Sequence, residues 1–121
     1  MVSSGTDSRL TLQQFQDEVT VWSSANFGDD GESVDPLLGI AEEVGELCHA
    51  YLKRKQGIRG TADQHRAAIV DAVGDICIYL ADFCRREGLF LDEIIERTWA
   101  QVKTRNWKEN PVDGTTTTEP N

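Results

Sequence analysis

Asp35-Pro36-Leu37-Leu38-Gly39-Ile40-Ala41-Glu42-Glu43-Val44-Gly45-Glu46-Leu47 is the stretch that decides the fold class. Leu37, Ile40, Val44, Leu47 and Tyr51 step by three and four, which gathers them on one stripe of a helix. Asp35 as N-cap and Pro36 at the first helical position mark its start, and Gly57 stops it after about Lys55.

The neighbouring segments read the same way. Upstream, Thr11 is an N-cap with Gln14 completing a capping box, and that helix runs to about Asn26 before Gly28, with Phe15, Val19 and Trp22 on one face. Downstream, Gly57-Ile58-Arg59-Gly60 makes a turn, Thr61 caps a third helix, and its periodic pattern continues to Arg86 before Gly88. This third helix is apolar nearly all round from Ile69 to Phe83, so burial on several sides is expected, within an oligomer. A fourth helix, from about Asp92 to Asn106, presents Ile94, Ile95, Trp99 and Val102. No segment reads as a strand. The expected fold is all-α: a four-helix bundle protomer that assembles into a homodimer or homotetramer. The helical domain spans 11–108, between a flexible N-terminus at 1–10 and a low-complexity, disordered tail at 109–121.

Composition narrows the function. The 121 residues carry 12 Lys plus Arg against 21 Asp plus Glu, a net charge of -9 that argues against binding nucleic acid or an anionic membrane surface. No apolar run is long enough to cross a bilayer, and the first residues have neither a basic start nor an apolar stretch, so a cytoplasmic location is expected. Cys48, Cys77 and Cys84 lie among apolar residues without metal-ligand spacing and are expected to pack as small hydrophobes.

The acids on the second and third helices are the unusual feature. On a wheel with Glu42 at zero, Glu46 falls about 40° away, Lys53 about 20° away and Glu43 about 100° away, at the edge of the apolar stripe. Gly45 between Glu43 and Glu46 weakens the helix by ~1 kcal/mol relative to Ala and clears space beside the backbone. Asp71 and Asp75 stack four residues apart, and Asp75 sits among Val73, Ile76, Ile78 and Tyr79 with Gly74 next to it. An ionised carboxylate there is costly without a cation, and no Lys or Arg lies within a turn of it. Hard oxygen ligands without thiolate suit magnesium or manganese rather than zinc, the competing reading being a buried hydrogen-bonded network.

Glu42-Glu43-Val44-Gly45-Glu46 and Asp71-Ala72-Val73-Gly74-Asp75 resemble the E-E-x-x-E and E-x-x-D motifs of the all-α MazG-like nucleoside triphosphate pyrophosphohydrolases, in particular small single-domain members found in phages. The resemblance covers about residues 11 to 108, including Gln56-Gly57-Ile58-Arg59-Gly60 and Lys103-Thr104-Arg105-Asn106-Trp107. It implies that water attacks the α-phosphorus of a (deoxy)nucleoside triphosphate, giving monophosphate and pyrophosphate. It also implies Glu43, Glu46 and Asp75 as ligands of magnesium, with manganese as substitute, and Glu42 as a group that orients water. Where the second motif has its Glu this chain has Ala72, and Asp71 is the candidate to supply the missing oxygen.

The implied role is control of nucleotide pools, in the host cell's cytoplasm if the chain is phage-encoded, with a purine triphosphate such as dGTP as preferred substrate. Lys53 shares the Glu42/Glu46 face and is a candidate for the β- and γ-phosphates; Lys103 and Arg105 match the family's basic C-terminal motif. Trp22 is open to two readings, stacking on the base or packing in the core, and Asn26 is a candidate for reading a base edge. His49 and His65 are read as solvated. The alternative to the enzyme is a non-catalytic helical protein, either a nucleotide sensor or a cation-regulated adaptor.

Overall fold

The computed structural model describes residues 9–115, so the expected flexible N-terminus lies almost wholly outside the described residues, as does the end of the expected tail. Among the described residues there are four helices and no strand: α1 (Leu12–Phe27), α2 (Val34–Gln56), α3 (Ala62–Glu87) and α4 (Leu91–Val102). The chain divides into two compact units, Met1–Phe90 with α1 to α3 and Leu91–Asn121 with α4.

In the first unit both α1 and α2 pack on α3. The helix starts at Thr11 and Thr61 are capping boxes: each threonine hydroxyl accepts from the backbone N–H three residues on, at 3.1 Å, while Gln14 or Gln64 accepts from the threonine's own N–H. Helices α2 and α3 end on left-handed Gly57 and Gly88, where Ile58 N–H reaches the Lys53 carbonyl at 3.2 Å and Leu89 N–H the Cys84 carbonyl at 2.8 Å. Gln16 ties α1 to the end of α3 by donating to the Leu89 carbonyl at 2.8 Å.

The start of α2 departs from the sequence reading. Helical geometry begins at Val34, Ser33 sits in the right-handed region without a side-chain cap, and Asp35 lies in the first turn rather than capping it. Asp35 N–H instead bonds the Glu32 carbonyl at 3.1 Å, so a tight turn from the preceding loop delivers the backbone already helical.

The buried apolar positions of α1 to α3 are mostly small: Val19, Ala50, Ala72, Ala81 and Cys84. Small side chains let helix axes approach closely, and Gly39 carries this furthest, since a Cβ there would run into the ring of Tyr79. Cys48 and Cys77 are exposed, contrary to the expected core packing, because the α2–α3 seam runs along Gly39, Glu43 and Ala50 of α2 and His65, Ala72 and Tyr79 of α3 and leaves both thiols off it. Val44, Val70 and Val73 also remain exposed, as do Leu37 and Leu38.

In the second unit, α4 ends at Val102, four residues before the expected Asn106. Residues 103–115 form a hydrogen-bonded loop. Asn106 N–H donates to the Gly114 carbonyl at 2.7 Å, Gly114 N–H to the Asn110 carbonyl at 2.8 Å, and the Asn106 side chain accepts from the N–H groups of Lys108 and Glu109. Glu109 to Thr115, from the expected tail, are part of this loop.

Candidate functional site

Helix α2 points the Glu43 side chain into the packed face and leaves Glu42 and Glu46 exposed, both on the same flank of it. Glu43 is 9 % exposed, and its Oε1 is buried without a hydrogen-bond partner. Burial pushes the Glu43 carboxyl up from its ordinary pKa, and the charges of Glu46, Asp75 and Glu42 push it further in the same direction. No cation appears among the groups acting on it.

Asp75, from α3, thus belongs to the same electrostatic neighbourhood as the α2 acids. It is exposed, however, and the burial expected for it falls to Glu43 instead. The reason is rotational: His65 and Ala72, with Tyr79 on the same stripe against Gly39, take the side of α3 that packs on α2, Ala81 is buried on the opposite side, and Asp75 stands beside the first of these lines. Asp71 is exposed and is not among the charges acting on Glu43. A Cβ built on Gly45 or Gly74 would meet nothing within 4 Å, so both glycines leave open space beside the acids.

Among the described residues no three His, Cys, Asp or Glu side chains converge closely enough to hold a metal ion as they stand. The donor chemistry still fits a hard divalent cation. Three carboxylates act on a fourth, Glu43, whose Oε1 is buried and orphaned, and the open glycines leave room for side-chain rotation.

Tyr79, one turn beyond Asp75 on α3, connects this cluster to the rest of the unit. Burial raises the Tyr79 hydroxyl pKa, and Glu42, Glu43, Asp75 and Glu46 raise it further. Its ring rests on Gly39 and lines a cavity of about 240 Å³ with Phe27, Asp35, Pro36, Asp82 and Arg86.

The sequence reading missed the polar network at the end of α3. Asp82 is buried and accepts from Arg85 Nε at 2.8 Å and from Arg86 Nε at 3.2 Å. Arg85 also donates to Asp29 at 3.1 Å, to the Ser23 hydroxyl at 3.2 Å and to the Gly28 carbonyl at 3.4 Å. Burial raises the Asp82 pKa, but the hydrogen bonds from Arg85, Ser23 and Arg86 outweigh it, and the net shift is downward. Two arginines in a helix's last turn read simply as dipole partners; an aspartate three and four residues before them is the signal that they are organised.

The remaining candidates are placed as follows. Trp22 is 53 % exposed, so it is not a core residue; it meets Phe27 edge-on at 5.7 Å. With Leu10, Phe15, Glu18, Val19 and Ile78 it lines an apolar groove of about 400 Å³. The Asn26 amide donates to the Trp22 carbonyl at 2.8 Å, within its own helix. Lys53 donates to Gln56 at 2.9 Å. Lys103 and Arg105 are exposed in the second unit. His65 is buried rather than solvated: its Nε2 pairs with the Ile58 carbonyl at 2.9 Å and braces the α2–α3 turn.

No protein-family model matches the chain, and no curated protein matches it in sequence.

Proposed function

We propose that this chain is a MazG-like, metal-dependent nucleoside triphosphate diphosphohydrolase, converting a (d)NTP, preferentially a purine such as dGTP, to (d)NMP and pyrophosphate. The observation that carries the reading is Glu43: a buried carboxylate with an orphaned oxygen, pressed by three further carboxylates and by no cation. Such an arrangement opposes folding unless function retains it.

Magnesium, with manganese as substitute, held by Glu43, Glu46 and Asp75, would supply charge neutralisation for the triphosphate. Asp71, one turn from Asp75, is the proposed further oxygen donor in place of Ala72. Glu42, exposed beside the cluster, holds and orients the attacking water and takes its proton. Trp22 with Phe15 and Ile78 offers an apolar surface beside which the nucleoside docks, with Asn26 at its end, while Lys53, Lys103 and Arg105 are the proposed phosphate contacts. The protomer works as a homodimer or homotetramer, which would cover the exposed Val70 and Val73 of α3. Its setting is the cytoplasm, and neither nucleic acid nor membrane is a partner.

The test is pyrophosphate release from a panel of ribo- and deoxynucleoside triphosphates with magnesium or manganese. Release from at least one of them is expected, abolished by Asp75→Asn. Tight nucleotide binding without release would favour the sensor instead, a reading helped by Ala72 and by the unconverged carboxylates.

A further inference from the structure

Helix α2 carries an apolar stripe that the described residues leave uncovered. Leu37, Ile40, Val44, Cys48 and Tyr51 fall within an arc of about 80° of the helix, and all but the half-buried Ile40 are exposed. Their spacings, three, four, four and three, read the same in both directions from Val44. On α3, Ile69, Val73, Ile76 and Leu80 form a second stripe, spaced four, three and four and so symmetric about a point between Val73 and Ile76. Val73 and Leu80 are exposed in it.

The two stripes share a side and a centre. On α2, Glu42 and Glu46 lie about 60–100° one way round from Glu43, and Ile40, Val44 and Tyr51 about 60–100° the other way. On α3, Asp75 lies about 60° one way from Ala72 and Val73 about 100° the other. In an antiparallel pair the same sense of rotation leads to the same side, so the acids occupy one side of the α2–α3 hairpin and the stripes the opposite one. Gly39 against Tyr79 and Glu43 in the field of Asp75 fix the register, which sets Val44 level with Gly74, beside the centre of the α3 stripe.

The ends of α2 are charged in opposite senses. Lys55 and Arg59 stand at its C-terminal end, Asp30 and Glu32 just before its start. All four are exposed, and none forms an ion pair among the described residues. Acids outnumber bases 21 to 12 in the chain, yet Lys55 and Arg59 meet none of them.

We propose that this side of the hairpin docks on the same side of a second copy, α2 antiparallel to α2 and α3 to α3, about one two-fold axis passing Val44. A two-fold contact must be complementary to itself under reversal, and a stripe with palindromic spacing and oppositely charged ends meets that condition. Leu37 then meets the partner subunit's Tyr51, Ile40 the partner subunit's Cys48, and Val44 the partner subunit's Val44. At each end Lys55 and Arg59 face Asp30 and Glu32 of the partner subunit, whereas a parallel pair would set like charges together. A helix of this length is about 35 Å long and two side by side are about 20 Å wide, so the face offers about 700 Å² per copy, close to the ~800 Å² of a stable interface. The acids face away from the axis, and each copy keeps its own cluster open. The inference names the surface for the self-association expected of the phosphohydrolase, but it rests on the stripes and the charged ends and not on the reaction.

The experiment is sedimentation equilibrium of the full chain and of two charge-reversed double variants, Lys55→Glu with Arg59→Glu and Asp30→Lys with Glu32→Lys. All four positions are exposed and unpaired, so both variants keep the fold. The wild type should form a dimer. Each variant alone repels itself at both ends and should dimerise at least about tenfold more weakly than the wild type, while an equimolar mixture, in which every reversed end meets its opposite, should recover to within about threefold. A monomeric wild type, variants that dimerise as tightly as the wild type, or a mixture no tighter than its components would overturn the proposal. Dimers without pyrophosphate release would keep the surface and remove the reaction; release from a chain that stays monomeric would keep the reaction and remove the surface.

Discussion

The ring of Tyr79 occupies the space that a side chain at Gly39 would need. Two helices are therefore held at a separation set by the face of one aromatic ring on bare backbone, and the same ring stands beside the four acids. Gly39→Ala should destabilise the fold: overpacking costs about 1–3 kcal/mol, against a gain of ~1 kcal/mol in helix propensity. Urea unfolding would show a lower midpoint, whereas Gly45→Ala, with open space around it, should raise the midpoint in the absence of metal.

Asp82 supplies a pH signature. Its pKa lies below that of a free aspartate, so its contribution to stability is present above the unfolded value, near 3.9, and is lost as pH falls through the lower folded value. Asp82→Asn leaves Arg85 and Arg86 without their carboxylate and should cost about 3 kcal/mol at pH 7. Thermal melts from pH 7 down to pH 2 should show the gap between wild type and variant closing below about pH 4. A gap that stayed constant across that range would mean that the charge plays no part.

Glu43 has the opposite sign. Its raised pKa means that ionisation is disfavoured in the folded chain, so stability declines as pH rises through the ordinary glutamate range and stays lower above it. Glu43→Gln in EDTA at pH 7 should melt at or above the wild-type temperature and should lose most of the stabilisation that magnesium gives the wild type. A lower melting temperature in EDTA would show that the carboxylate has a structural partner.

Self-association is the fourth expectation. Val70 and Val73 on α3 and Val44 on α2 are exposed, as are Leu37 and Leu38. Light scattering should give at least twice the chain mass of 13.5 kDa, and Val73→Asp should lower it. A wild-type mass of one chain at micromolar concentration would refute the oligomer.

What the sequence disclosed was local. Thr11 with Gln14 and Thr61 with Gln64 are capping signals contained within four residues, and both helices start there. Asp35-Pro36 misled by two residues, because Glu32, outside that dipeptide, accepts from Asp35 N–H and begins the turn earlier. The helical wheel put Glu43 at the margin of a stripe through Leu37, Val44 and Tyr51, but those three are exposed and the buried line of α2 runs through Pro36, Gly39, Glu43 and Ala50, with Glu43 at its centre. For Asp75 the wheel could not choose among several apolar sides of α3, and packing against α1 and α2 settled that Ala72 and Ala81 face inward. The links from Arg85 to Asp29, Gly28 and Ser23 join groups 56, 57 and 62 residues apart, which no local window contains, whereas His65 meets a backbone carbonyl only seven residues back, which side-chain patterning does not register.

The loop between α1 and α2 is fastened by a residue that is made much later. Asp29, Gly28 and Ser23 all take their hydrogen bonds from Arg85, at sequence separations of 56, 57 and 62. Closing a segment of that length carries an entropic cost that local helix formation does not. During synthesis α1 and α2 can therefore coil as separate pieces, but the bend joining them has only its local backbone bonds, from Gly28 to Ser24 and from Asp35 to Glu32, until the last turn of α3 has formed. The earliest corner of the chain to be made is among the last to be set, and a ribosome-bound fragment ending at Gly60 should carry helices with no fixed angle between them.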